Sequence, residues 1–169
     1  TLKGMGDALE IGTFVQNIVG SSASASVLLP AILFIVAIFL AFSTGTSWGS
    51  FAILVPIAIA MFPGTDKLEM MIISVSAVLA GAVCGDHVSP ISDTTVMSSA
   101  GAQSNHLNHV TTQMQYAAVV AIVCVVGYII AGVSQSWWIA LGSSLVILLV
   151  VLTVMKRVFA AREKKSVAA

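Results

Sequence analysis

Charged residues are scarce in this sequence. Of its 169 residues only 8% are Asp, Glu, Lys or Arg, while 58% are apolar, and a soluble domain of ordinary composition carries roughly a quarter charged residues. The composition argues against a water-soluble fold and predicts an all-α membrane protein, a transmembrane helix bundle in contact with lipid. Seven basic residues balance seven acidic ones, so net charge gives no support to nucleic acid as a partner.

Motifs of enzymes and cofactor sites are also missing. The sequence has no Ser-His-Asp order, phosphate-binding glycine loop or Walker-type lysine, so we predict no enzyme and no cofactor. Its two cysteines, Cys84 and Cys124, lie in apolar surroundings typical of buried thiols. Because neither Cys84 nor His87 has a companion at the spacing of zinc ligands, we do not expect zinc. Because no ATP-binding motif is present, an ion gradient would supply the energy for any transport across the membrane.

The C-terminal third carries two plain hydrophobic runs. Residues 116–133 and 137–155 are each close to the roughly 20 apolar residues that cross a bilayer. Five of the seven basic residues follow the second run, which predicts a basic tail over 156–169 on the cytoplasmic side of the inner (plasma) membrane. At the other end, residues 1–25 have the mixed pattern of an amphipathic segment at the membrane surface.

Two further hydrophobic blocks are interrupted by polar, glycine- or proline-containing stretches. The first runs over 27–62 with its interruption at 43–50, and the second runs from 68 to about 101 with its interruption at 84–94. Lipid cannot satisfy backbone groups that leave a helix, so such breaks must be buried in protein or reached by water. We expect one shared polar cavity. Residues 27–62 could cross the membrane as a broken helix or form a re-entrant hairpin. The apolar stretches on either side of the interruption are each short for a full span, which favours the hairpin.

The second interruption is the richest in ion ligands. It contains two carboxylates, one imidazole and four hydroxyls: Asp86, Asp93, His87, Ser89, Ser92, Thr94 and Thr95. An acid inside a membrane is costly enough to indicate function, and Na+ prefers oxygen ligands. Because a low dielectric favours the protonated carboxyl, one acid could hold either H+ or Na+. We predict Na+ at Asp86 and Asp93, with a structural surface loop as the alternative.

The first interruption adds oxygen atoms but no charge. Ser43, Thr44, Gly45, Thr46 and Ser47 offer hydroxyls and unwound carbonyls as ligands at the tip of the hairpin, although a purely structural turn remains the alternative. His87 could be a pH-responsive neighbour or a structural hydrogen-bonding group. His106 and His109 lie in the polar connector of residues 103–109, where we expect a solvated face.

At both interruptions the sequence resembles the NhaC-type Na+/H+ antiporter family within the ion transporter superfamily. The matching stretches are residues 42–51, followed by Pro56, and residues 85–95. The resemblance implies a single transporter domain over 1–169, equivalent to the C-terminal part of a longer carrier, in which inverted repeats each contribute a re-entrant hairpin and a discontinuous helix. It also implies Na+ and H+ as the transported ions.

Two other functions remain open from the sequence. Some relatives in the superfamily exchange malate and lactate, so a Na+-coupled organic acid exchanger is one alternative. A non-transporting membrane subunit is the other, because members of the family are longer than this chain. A missing N-terminal half, or a homo-oligomer, could then complete the site.

Overall fold

The computed structural model describes residues 23–62 and 67–167, and every regular element in these ranges is an α-helix. The helices are α1 (Ala23–Thr44), α2 (Ser47–Ala60), α3 (Leu68–Val88), α4 (Asp93–Gly101), α5 (His106–Ser134) and α6 (Trp137–Val167). Four stretches are long and apolar enough to cross a membrane: Val27–Thr44, Leu68–Val88, His106–Ser134 and Trp137–Arg157. The predicted all-α fold is confirmed for the described residues, and these four helices have the length and composition expected of a multi-pass membrane protein. The amphipathic segment predicted for 1–25 lies almost wholly outside the described residues.

The helix breaks are shorter than the sequence predicts. Only Gly45 and Thr46 separate α1 from α2, and only residues 89–92 separate α3 from α4. The predicted interruptions, 43–50 and 84–94, were too long because serine, threonine and even aspartate remain compatible with a helix when the backbone gains by staying hydrogen-bonded. The discontinuous second block therefore consists of a 21-residue helix, a four-residue break and a nine-residue helix.

The polar connector is also shorter than predicted, because α5 begins at His106 rather than near residue 116. Asn105 caps the helix, and its side chain accepts a hydrogen bond from the Asn108 amide at 3.1 Å. Such a cap satisfies one of the free N–H groups of the first turn and so starts the helix early. At the other end of the chain, the predicted basic tail continues α6 as a helix to Val167.

Helices α1 and α3 pack closely and run parallel to each other. Gly81 lies against the carbonyl of Phe34, Gly85 lies one turn further against the carbonyl of Ile38, and both approaches leave no room for a Cβ atom. Another turn along, the hydroxyl of Ser89 donates to the carbonyl of Phe42 at 2.7 Å. The residue numbers of the contacting positions rise together on both helices, so the two helices run in the same direction. Small residues at this spacing are typical of tightly packed membrane helices.

Because α1 and α3 are parallel, the chain must return between them, and α2 makes that return. Helices α1 and α2 therefore form an antiparallel hairpin with its tip at Gly45 and Thr46. The hairpin packs on α3 through a shared apolar core that includes Leu29, Leu33, Ala37, Ala41, Leu54, Ala58, Met61, Met70, Ile73 and Val78. This packing carries the tip of the hairpin to the end of α3, where the second break begins.

Helix α5 turns back from the second break. Its first residue, His106, contacts the carbonyl of Pro90, and further along the Tyr128 ring packs against the Phe34 ring in a tilted arrangement, with centroids 5.2 Å apart. Helix α6 then packs on α5 where Gly127 meets Ser144. None of the 21 residues in the apolar stretch of α6 is buried, so its outer surface is free to face lipid or other protein.

Candidate ion-binding site

The tip of the hairpin is shaped by Gly45. Its φ of 67° is left-handed, a conformation that disfavours residues with a Cβ atom, and its amide still donates to the Ala41 carbonyl at 2.8 Å. Thr46 is extended and is the N-cap residue just before α2. A Cβ atom on Gly45 would lie 2.9 Å from both the side chain and the carbonyl oxygen of Ile91. The hairpin tip therefore rests directly on the second break.

Hydroxyl groups at the tip are mainly engaged within their own helices. Ser43 donates to the Phe39 carbonyl at 2.8 Å, and Thr44 donates to the Leu40 carbonyl at 2.8 Å. Such bonds to the preceding turn are common for these residues in helices. Among the predicted ligands at the hairpin tip, Gly45 touches the second break, while the hydroxyls of Ser43 and Thr44 bond within α1.

The second break forms a compact turn around Pro90. The amide of Ser89 donates to the Asp86 carbonyl at 3.2 Å, and the amide of Ser92 donates to the Ser89 carbonyl at 3.3 Å. Proline supplies no N–H and ends the regular ladder of α3. Ser89 is fully buried, and its hydroxyl ties the turn to the Phe42 carbonyl of α1. The two predicted interruptions therefore meet, as the sequence indicated.

Asp86 ends a short chain of oxygen atoms across this break. The Ser92 hydroxyl donates to Asp86 Oδ1 at 2.6 Å, and Thr94 Oγ1 lies 2.8 Å from Ser92 Oγ. Since a hydroxyl has one hydrogen and Ser92 uses it on Asp86, Thr94 donates to Ser92. Ser92 is fully buried, Asp86 half-buried and Thr94 exposed. The chain of oxygens thus leads from the surface to a carboxylate at the junction of the breaks.

The remaining predicted ligands lie apart from this chain. Asp93 is exposed on the first turn of α4, where the positive end of the helix favours a carboxylate. The Thr95 hydroxyl donates to the His87 carbonyl at 3.1 Å and so closes the turn between α3 and α4. The His87 ring is exposed and contacts the side-chain amide of Gln113 on α5. Asp86 is therefore the carboxylate that the fold equips with partners.

The ligand set at this junction is oxygen-based. Among the side chains described, those of residues 27–62 and 67–157, no three His, Cys, Asp or Glu residues come together as a metal cluster. A cation bound at Asp86 would therefore depend on one carboxylate with hydroxyl and carbonyl oxygens, which suits a monovalent hard cation better than a transition metal. A separate cavity of about 690 Å³ lies between α3, α5 and α6, but its walls are largely apolar.

Comparison with known proteins decides the family. The family model described as "Na+/H+ antiporter family" matches residues 1–133. This chain belongs to the Na+/H+ antiporter family. The matched range includes the hairpin and both breaks, and it ends just before the last residue of α5. Membership, together with the four apolar helices, supports a role in membrane transport.

A relative of this antiporter-family chain occurs in Haemophilus influenzae. The two are 44% identical over 155 residues, which cover 92% of this chain but only 29% of the relative, a protein named only as uncharacterized. The chain thus spans less than a third of the length of the curated relative that it matches. No solved structure matches the chain.

One residue of this antiporter-family chain has a role that sequence reasoning missed. His106 was expected on a solvated face, but its ring is half-buried and bonded on both sides, to the carbonyl of Pro90 at 2.8 Å and to the hydroxyl of Ser99 at 3.0 Å. His109 is also half-buried, and its ring contacts the Ser98 hydroxyl at 3.5 Å, a longer distance than either contact of His106. The cap residue Asn105 was the available signal, because it starts α5 early enough to bring His106 to the break.

Proposed function

We propose that this chain forms part of a secondary transporter that exchanges Na+ for H+, with Asp86 as the acid that carries both ions in turn. The observation that supports this most strongly is the bond from the buried Ser92 hydroxyl to Asp86 at the point where the two helix breaks meet. Membership of the Na+/H+ antiporter family supports the same pair of ions.

The exchange would rest on competition at one carboxylate. Ionised Asp86 attracts Na+. The hydroxyl oxygens of Ser92 and Thr94 can contribute to the coordination shell of the bound ion, because each has a lone pair free for a cation. A proton on Asp86 removes the charge and with it most of the affinity for Na+. Since the two ions exclude each other, an acid that is reached from alternate sides of the membrane moves them in opposite directions.

The same proposal assigns a membrane role to the hairpin. Helix α1 is long enough to cross the membrane, contrary to the short arm expected from the sequence. Helix α2 has 14 residues and is about 21 Å long at 1.5 Å per residue, which is short of the roughly 30 Å of hydrocarbon. We take α1 and α2 to enter and leave on the face where α3 begins, as a re-entrant hairpin. The break, α4 and the C-terminal end of α6 would lie toward the opposite, cytoplasmic face.

One hairpin and one discontinuous helix would supply half of an inverted-repeat carrier. The curated relative is more than three times as long as the matched region, which leaves ample chain for a second half. In this arrangement Asp93 and Thr94, exposed in the described chain, would face the complementary half or an aqueous path. The carrier would reside in the inner membrane.

The test is Na+-dependent proton movement in everted membrane vesicles that contain the protein encoded by the complete reading frame. Asp86→Asn should abolish the exchange, because it removes the charge while keeping size and shape. Asp93→Asn should reduce it much less, because Asp93 stands apart from the oxygen chain. Glu69→Gln is the matched control, since Glu69 is an exposed acid at the other end of α3.

Unchanged exchange in Asp86→Asn, at equal protein level, would remove Asp86 from the mechanism. Exchange that requires an added organic acid such as malate or lactate would instead identify a Na+-coupled organic acid exchanger. Absence of exchange in the wild-type protein under both conditions would leave a non-transporting membrane subunit as the better assignment.

A further inference from the structure

The first residue of α5 touches both parts of the discontinuous helix. His106 Nε2 lies 2.8 Å from the carbonyl oxygen of Pro90 in the break, and Nδ1 lies 3.0 Å from Ser99 Oγ on α4. Its position is fixed by the cap at Asn105, which starts the helix. One imidazole ring thus connects the break, α4 and α5.

The partners define which nitrogen carries the hydrogen. A backbone carbonyl can only accept, so Nε2 of His106 must be the donor to Pro90. In the neutral ring Nδ1 then accepts from the Ser99 hydroxyl. That hydroxyl also lies 2.9 Å from the Val96 carbonyl, and its single hydrogen can serve only one of the two acceptors. The bond from His106 to Pro90 has no competing acceptor for its hydrogen among the described residues, whereas the bond from Ser99 to His106 competes with the Val96 carbonyl.

The contact with Pro90 completes a two-sided support for the break. On the side of the hairpin, the buried Ser89 hydroxyl holds the break to Phe42. On the side of α5, His106 holds the next residue, Pro90. Two residues further on, Ser92 donates to Asp86. Within the break, the amide of Ser92 donates to the Ser89 carbonyl and its carbonyl accepts from the Val96 amide. The side-chain bonds from both flanks add to these backbone bonds in holding Ser92.

We infer that His106 is a positioning residue for the ion site: by holding Pro90 it fixes Ser92 against Asp86, without contacting the ion itself. This inference rests on the proposed function, because its measured consequence is the affinity of Asp86 for Na+. A positioning role predicts weaker Na+ binding when the bond to Pro90 is lost, while the capacity for turnover at saturating Na+ is retained.

Glutamine and asparagine separate the two bonds of His106. The side-chain amide of Gln reaches about as far as Nε2, so His106→Gln can still donate to Pro90. The shorter amide of Asn reaches about as far as Nδ1, so His106→Asn can keep the contact with Ser99 but not the one with Pro90. His106→Ala loses both. His109→Ala is the matched control, because His109 lies on the same helix and has only a 3.5 Å contact with Ser98.

The half-saturating Na+ concentration and the maximal rate are measured in everted vesicles that contain the complete protein, and ²²Na+ binding is measured on the purified protein. His106→Ala and His106→Asn should raise the half-saturating concentration about fivefold to tenfold, the effect of one lost hydrogen bond. His106→Gln should stay within about twofold of wild type, and His109→Ala should match wild type. If His106→Ala does not accumulate in the membrane, the positioning role is tested by comparing His106→Gln with His106→Asn.

Equal Na+ affinity in the Gln and Asn variants, or in the Asn variant and His109→Ala, would overturn the positioning role while leaving Asp86 in place. Normal exchange in Asp86→Asn would instead refute the proposed ion site, and the inference about His106 would fall with it. The two failures are therefore distinguished by whether Asp86→Asn is active.

Discussion

The close approach of α1 and α3 predicts that a single methyl group at Gly85 will disturb the ion site. A Cβ atom there would overlap the backbone carbonyl of Ile38, and a backbone atom cannot turn aside as a side chain can. The helices would have to separate by roughly 1 Å to restore ordinary contact. Overpacking of this kind costs about 1–3 kcal/mol. Since Gly85 precedes Asp86 and lies one turn before Ser89, the displacement acts where the two breaks meet.

The assay for Gly85→Ala combines thermal unfolding of the purified protein with Na+-dependent proton movement in vesicles. We expect a lower melting temperature and a higher half-saturating Na+ concentration, because moving α1 away lengthens the bond between Ser89 and Phe42. Gly142→Ala is the control: Gly142 lies inside α6 and has nothing within 4 Å of the added methyl group, so alanine should be neutral or slightly stabilising. Equal behaviour of the two variants would refute the packing argument.

Two further substitutions test the junction itself. Gly45→Ala should destabilise the protein by about 1–2 kcal/mol, because the left-handed backbone disfavours a Cβ atom and the methyl group would press on Ile91; a wild-type melting temperature would contradict this. Ser92→Ala should raise the half-saturating Na+ concentration in vesicles roughly tenfold or more, because it removes a hydrogen bond to the Asp86 carboxylate; an unchanged Na+ dependence would exclude Ser92 from the site.

The spanning helices could be predicted from the sequence because hydrocarbon imposes a simple requirement on length and polarity. The start of α6 at Trp137 and the short helix ending at Gly101 are where the pattern placed them. The C-terminal end of α3 and the start of α5 were not, because Asp86, His87 and His106 look like loop residues in isolation. A membrane helix keeps such residues helical when their side chains find partners nearby, and that depends on the tertiary fold.

The meeting of the two breaks could also be predicted, but the separate roles of their residues could not. The sequence treats Asp86 and Asp93 alike, whereas the fold gives Asp86 a buried hydrogen-bond partner, Ser92, and leaves Asp93 exposed. Likewise, only the three-dimensional packing brings His106 to Pro90, 16 positions away. Periodicity gives the face on which a side chain lies within its own helix, but not the register between helices.

The depth of the break in the membrane depends on how α3 lies in the bilayer. Helix α3 has 21 residues and is about 31 Å long, enough to cross the hydrocarbon by itself. In an upright bundle its end at Val88 would therefore lie at the far boundary, and a midplane break requires that α3 tilt or begin outside the hydrocarbon. The contacts among Asp86, Ser92 and the hairpin tip do not depend on that depth.

The central claim is that Na+ and H+ compete for Asp86, and proton release on Na+ binding tests it most directly. Purified complete protein in weakly buffered detergent solution is mixed with NaCl, with choline chloride as the ionic control, while a pH indicator reports released protons. We predict release of about one proton for each Na+ bound to the wild-type protein and none in Asp86→Asn. Na+ binding without proton release, or undiminished release from Asp86→Asn, would contradict the account.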